Sequence, residues 1–438
     1  MKSLAIRRTT VLGTTLLTAA ALGLTACGGG SGSSNSNTVT LWSSVDPPVK
    51  AGLEKELLSE LKAAGKSNIK ISWSTVTNIN QVIITKIQAG STPDIAFIPQ
   101  PGVVAQMQKL NAIKPLDTIV DMNSLKSSMV PGSLDAGTIN GKLYGLLVSA
   151  NVKGLVFYNK PAWTKAGWKT PTSISDLENL TSQMKAKGGG TAPWCMGIGS
   201  GTATGWPATD WFETLFMKYY GADAYNQWIQ HKITFSSPQV NHVAAEFSKL
   251  LFTNGNTYGG QSSITSNGFD TAGNGLFTSP PHCWMYNQGS FITGFFPKSV
   301  TGNLDKNVGV FGFPPATAGG DNPVEGGGDM MTVLNDSTNV DTVAKLLAGT
   351  TIGNAAAPTS SFISPHKDFD LSKYPNNLTR SIAQVMYGTT SFLFDASDAM
   401  PAQVGAGAEW KELTAWISGQ ENISTALKNI DAAWPSGG

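Results

Sequence analysis

The feature that most restricts what this chain can fold into is a run of alternating patterns between Val39 and Ile98. Val39-Thr40-Leu41-Trp42 combines β-branched and aromatic residues and predicts a strand. From Val49 to Ala64, Leu53, Leu57, Leu58 and Leu61 recur at helical spacing with charges on the opposite face. Ile69-Lys70-Ile71-Ser72-Trp73 predicts a second strand, Ile79 to Ala89 a second helix ended by Gly90, and Pro93 to Ile98 a third strand. Parallel strands need long crossover connections, and helices at this spacing supply them, so the run predicts an α/β fold around a parallel sheet.

Further along, Gly141 to Val148 and Gly154 to Asn159 read as extended, with Ser149-Ala150-Asn151 between them as a crossing between domains. An aromatic-rich helix is expected from Thr209, with Thr209 as its cap, and more strands around Cys283 to Tyr286 and Val308 to Phe313. The last part reads as helical: Val340 to Ile352, Leu378 to Tyr387 and Trp410 to Ile417. The 438 residues exceed what one compact core accommodates, so two domains are expected.

The N-terminus predicts export. Lys2, Arg7 and Arg8 precede an apolar stretch, Val11 to Leu22, that is too short to span a bilayer, and Leu24-Thr25-Ala26-Cys27 follows. A secretory signal (residues 1–26) ending on a cysteine marks a lipobox, with Cys27 the lipid-accepting thiol. Residues 28–37 are only Gly, Ser and Asn, a flexible tether (27–37 with the anchor). The expected location is therefore the outer face of the cell membrane. Outside the cell the remaining cysteines, Cys195 and Cys283, are expected to form a disulfide. No second apolar stretch is long enough for a transmembrane helix.

The signal takes with it three of the 30 basic residues and none of the 29 acidic ones, leaving a nearly neutral, slightly acidic chain. That gives no reason to expect nucleic acid as a partner. Charged residues are only 13% of the chain and there are 12 Trp, which suits a neutral polar ligand. The four His form no His-Glu-x-x-His, and there is no Gly-x-Ser-x-Gly elbow and no Walker loop, so neither metal nor cofactor is expected. A glycoside hydrolase needs only two carboxylates about 5–10 Å apart, and Asp329, Asp395 and Asp398 are candidates for that alternative. A surface adhesin is a second alternative, although the chain shows no repeats. Sugar binding explains more residues, because a sugar offers apolar C–H faces to aromatic rings and hydroxyls to carboxylates and amides. Gly205-Trp206-Pro207-Ala208-Thr209-Asp210-Trp211, Tyr286-Asn287-Gln288-Gly289-Ser290-Phe291 and Gly326-Gly327-Gly328-Asp329 are such clusters.

With Thr92-Pro93-Asp94-Ile95-Ala96, Gly141-Lys142-Leu143-Tyr144-Gly145 and Val156-Phe157-Tyr158-Asn159-Lys160, the lipobox and tether resemble those of solute-binding proteins of bacterial ABC importers. More narrowly, Pro99-Gln100-Pro101-Gly102, Val148-Ser149-Ala150-Asn151-Val152-Lys153, Pro193-Trp194-Cys195, Gly205 to Trp211, Gln288 to Phe291, Phe362-Ile363-Ser364-Pro365 and Phe394 to Pro401 resemble the α-glucoside-binding branch of the sugar-binding family. The resemblance implies a type II periplasmic-binding-protein-like, Venus-flytrap fold: two α/β lobes with the ligand in the cleft between them. The lobes are expected at 38–149 plus 294–348 and at 150–293 plus 349–438, with hinges near Asn151, Gly294 and Gly349. It implies a sugar ligand, two permease subunits with a cytoplasmic ATPase, a monomeric receptor and no enzymatic activity. Trp206 and Trp410 are expected to stack on sugar. Gln100, Asn151, Asp210, Gln288, Asp329, Asp395 and Asp398 are expected to hydrogen-bond to it, and Gly328 to bring its backbone close.

Overall fold

The computed structural model describes residues 37–359 and 361–435. The predicted signal, Cys27 and nearly all of the tether lie outside the described residues. Among these residues no helix is long and apolar enough to cross a membrane.

The opening βαβαβ unit is present as read. Strands Thr38–Ser43, Lys70–Thr75 and Ile95–Ile98 are connected by helices Pro47–Ala63 and Ile79–Gln88. The strands are parallel, with Leu41 opposite both Trp73 and Ile95. Ile95–Ile98 is buried on both faces, as a central strand of a covered sheet must be. Leu53, Leu57 and Leu61 turn inward, but Leu58 is 46% exposed. The inward stripe runs at i, i+4 and i+8 with Val49, and Leu58 falls a further 100° round the helix.

This first sheet runs in the order 392–394, 324–333, 95–98, 38–43, 70–75, and Leu146–Val152 also pairs with Val324–Val333. A second sheet runs 308–312, 155–159, 283–288, 192–194. Around it Trp194, Trp211, Phe212, Phe216 and Phe247 build an aromatic core. Trp211 lies 5.1 Å from Trp194 and 5.6 Å from Phe313, ring centre to ring centre, which makes it a core residue. Cys195 and Cys283 form the expected disulfide, with Cα atoms 5.3 Å apart.

The two sheets correct the expected division of the chain. Val308–Gly312, assigned with 294–348 to the first lobe, pairs antiparallel with Leu155–Asn159 in the second sheet. Conversely Phe392–Phe394, assigned to the second lobe, pairs parallel with Val324–Val333 in the first sheet. The chain passes between the two cores at three places: Lys153-Gly154 and the stretch from Phe313 to Val324, each joining strands of different sheets, and Asp395, where the strand Phe392–Phe394 of the first sheet leads into helices of the second core. The crossing expected at Ser149-Ala150-Asn151 is still strand, bonded to Gly327, Gly328 and Asp329. Gly294 and Gly349 sit at neither remaining crossing. Loop glycines are weak markers of a hinge, because what defines a crossing is which sheet the flanking strands join.

Candidate functional site: a polar cleft walled by both sheets

Ligands of open α/β sheets bind beyond the carboxyl ends of the strands, and the site follows from that rule. After Thr38–Ser43 the chain presents Ser44, Val45 and Asp46; after Ile95–Ile98 it presents Pro99. With Ser149, Asn151, Gly327, Gly328, Asp329 and Ser361 these line the first-sheet side of a cavity of about 250 Å³. Lys153, Phe291 and Asp398 close it from the crossing and the second-sheet side.

Of the residues expected to bind ligand, Asn151, Gly328, Asp329 and Asp398 line this cavity. Gln100 stands behind it and donates its side-chain N–H to Asp398 Oδ1 at 2.9 Å. Asp210 and Asp395 both accept from the Lys153 ammonium, Asp210 at 2.8 Å. Trp206 is half-buried, its ring 5.6 Å beneath Lys153 Nζ and 5.7 Å from Phe291. Gln288 is not in the cavity wall: its carboxamide is used by Tyr286 Oη at 3.2 Å and the Gly289 N–H at 2.9 Å. Trp410 is also outside that wall. Gly205, at φ 119°, is held so close that a Cβ there would meet the Trp410 carbonyl oxygen at 2.4 Å. The Glu409-Trp410 backbone thereby packs on the start of helix Trp206–Ile229. That helix begins at Trp206, with Gly205 as its cap, so Thr209 lies inside the first turn and donates to the Trp206 carbonyl instead of capping.

Gly328 also has a reason within the fold. At φ 144° its Cα lies where a Cβ would fall 2.0 Å from the Ser149 carbonyl oxygen. The glycine serves the close approach of two strands at a register shift between Asp329 and Met330.

Ser149 and Phe291 lie in segments whose composition already pointed to them, whereas Asp46, Lys153 and Ser361 were not expected in the cavity wall. Two had a signal: Asp46 follows the first strand, where the carboxyl-end rule applies, and Lys153 closes a segment already singled out.

The electrostatics are dominated by one ammonium among carboxylates. Oxygens of Asp210, Glu325 and Asp395 lie within 4.8 Å of one another, a spacing that could hold a cation. Lys153 Nζ occupies that position, bonded to Asp210 and Asp395 and 3.9 Å from Glu325 Oε1. Burial would raise the Asp395 carboxyl, but Lys153 and the hydrogen bonds from Ser397 and the Asp398 N–H outweigh it and hold the group low. Burial pushes Asp210 up to about 7 and Asp398 likewise to about 7, the latter helped by Asp395. Asp329 is also pushed up to about 7, by burial and then by the nearby Asp46 carboxylate.

A carboxyl whose folded pKa is raised holds its proton longer folded than unfolded. Its effect on stability is therefore a loss as pH rises from about 4 to about 7, levelling off above. Asp329→Asn abolishes the titration. Wild type is thus expected to lose up to about 2 kcal/mol relative to Asp329→Asn between pH 5.5 and 8, at about 1.36 kcal/mol per unit. Thermal unfolding of both proteins across that range checks it; parallel curves would refute it.

Residues 48–349 match the bacterial extracellular solute-binding protein family. The chain belongs to that family. The osmoprotective compounds-binding protein GgtB of Synechocystis sp. is 32% identical over 383 residues, covering 87% of this chain and 89% of that one. The alpha-glucosides-binding periplasmic protein AglE of Rhizobium meliloti is 31% identical over 378 residues, covering 84% and 81%. Among solved structures, the bacterial solute receptor AcbH superposes with a TM-score of 0.75 at 16% identity, covering 90% of this chain and 98% of that one. RafE of Streptococcus pneumoniae does so at 0.72 and 17%, covering 91% and 97%. The solute-binding protein thus has the type II two-lobed fold expected from its sequence. Its relatives are binding proteins, not enzymes, which removes the glycoside hydrolase alternative.

Proposed function

We propose that this protein captures a neutral carbohydrate, an α-glucoside or small oligosaccharide, and delivers it to the permease of an ABC importer. The observation that carries this reading is that one polar cavity takes its walls from both sides of the chain crossings. A ligand there touches Asp46, Asn151 and Asp329 on one side and Phe291 and Asp398 on the other. Such a ligand binds a closed form better than an open one and shifts the population toward closure. Carboxylates with few competing cations suit hydroxyl donors, and Phe291, backed by Trp206, suits a sugar's apolar face.

The relatives support the same class. AglE is named for α-glucosides and RafE was solved with raffinose. In this reading Cys27 carries the lipid, and the tether holds a monomeric receptor near its permease, raising the local concentration.

A thermal-shift screen against maltose, trehalose, sucrose and longer α-glucosides tests it. Binding at 100 times Kd is expected to add about 2.7 kcal/mol of stability. A panel in which no sugar raises the melting temperature would overturn the proposal.

A further inference from the structure

The three chain crossings meet at one side chain. Lys153 is itself the first crossing, Glu325 follows the second, and Asp395 is the third. The Lys153 backbone N–H donates to the Glu325 carbonyl at 2.8 Å, and the Asp395 N–H donates to the Gly326 carbonyl at 2.7 Å. Its ammonium is bonded to Asp395 and to Asp210, which comes from helix Trp206–Ile229 of the second core, and lies over the Trp206 ring on that helix. Among the described residues Asp210, Glu325 and Asp395 have no other cation within 4.0 Å.

The bonding is incomplete in a specific way. Two of the three ammonium protons are used by Asp210 and Asp395, and Glu325 Oε1 at 3.9 Å is beyond hydrogen-bond reach. Glu325 is 1% exposed and its Oε1 has no partner, while its Oε2 is fixed by Thr214 at 2.6 Å. Asp210 Oδ2 is likewise buried and unpartnered. Two of the carboxylates around the ammonium thus each keep one oxygen without a hydrogen-bond partner, Glu325 Oε1 on the first sheet and Asp210 Oδ2 on a second-core helix. Exchange of an ammonium between two sets of carboxylate oxygens is what would let a hinge rest in two positions.

We propose that Lys153 is the positioning residue of the hinge, gaining the Glu325 bond as the lobes close and so setting the closure equilibrium while it holds Asp210 and Trp206 toward the cleft. The part that concerns ligand rests on the carbohydrate reading; the part that concerns the hinge does not.

Glu325→Gln removes the alternative charge partner at constant volume and leaves an oxygen for Thr214. The expected result is at least tenfold weaker binding of whichever sugar the screen identifies, measured by calorimetry, with a melting temperature equal to or above wild type. A merely structural role would lower the melting temperature and leave affinity within twofold, and that result overturns the proposal. Small-angle scattering of ligand-free protein supplies the second readout. The balanced pair Lys153→Met with Asp395→Asn removes the clamp together with one carboxylate, and a larger radius of gyration than wild type is expected at retained circular dichroism. An unchanged radius overturns the hinge role. If no sugar binds wild type, the carbohydrate reading fails and the scattering alone decides the hinge.

Discussion

Replacing Cys195 and Cys283 together by serine is expected to destabilise the fold by about 2–5 kcal/mol, the range for losing a native disulfide from an exported domain. The bridge spans 88 residues and encloses helices Trp206–Ile229 and Pro238–Leu251, so in the unfolded chain it closes a long loop. Loop-closure entropy grows slowly with length, which puts the expected loss toward the upper part of that range. The folded state adds its own term. Both cysteines are buried, and Gly275 is packed so tightly that a Cβ there would sit 3.0 Å from Cys195 Sγ and 3.1 Å from Cys283 Sγ. Two serine hydroxyls in that space would be polar groups needing partners. Urea unfolding of the double variant against oxidised wild type measures the loss. A midpoint change below that expected for about 1 kcal/mol would show that the bridge is incidental to stability.

The aromatic wall should dominate ligand energetics. Phe291 lines the cavity and Trp206 supports it from behind, with ring centres 5.7 Å apart. Truncating a stacked, desolvated aromatic typically costs about 1–3 kcal/mol of binding, so Phe291→Ala and Trp206→Ala are each expected to weaken sugar binding about 5- to 150-fold. The two rings touch, so their effects should not add: the double variant is expected to lose less than the sum of the singles. Titration calorimetry on the four proteins checks this. If Phe291→Ala leaves affinity unchanged while Trp206→Ala lowers it, sugar stacks on Trp206 directly, as the sequence alone suggested, and the cavity wall has been assigned to the wrong ring.

Several site residues were legible because they belong to short local patterns. Asn151, Gly328, Asp329 and Asp398 lie in segments whose polar, glycine-rich character is readable one stretch at a time, and all four line the cleft. Gln288 carried the same local signal, yet its carboxamide is spent on Tyr286 and Gly289, because the side-chain partners of a buried strand end are chosen by its neighbours in space. Lys153 shows the reverse case. As a single lysine beside a glycine it says nothing, and its importance comes from carboxylates 57, 172 and 242 positions away.

The class of object is readable along the chain: a βαβαβ opening, two lobes, a pair of cysteines that bridge, and membership of a binding-protein family. These depend on hydrophobic period and local composition, which are properties of neighbouring residues. Where the chain changes lobes, which aromatic lines the cavity, and that a single ammonium gathers all three crossings emerge with the three-dimensional fold. Those depend on long-range strand pairing and on the burial of charge, and a carboxylate's partner in a low-dielectric interior is whichever cation the fold brings within a few ångströms, however far apart the two stand in the chain.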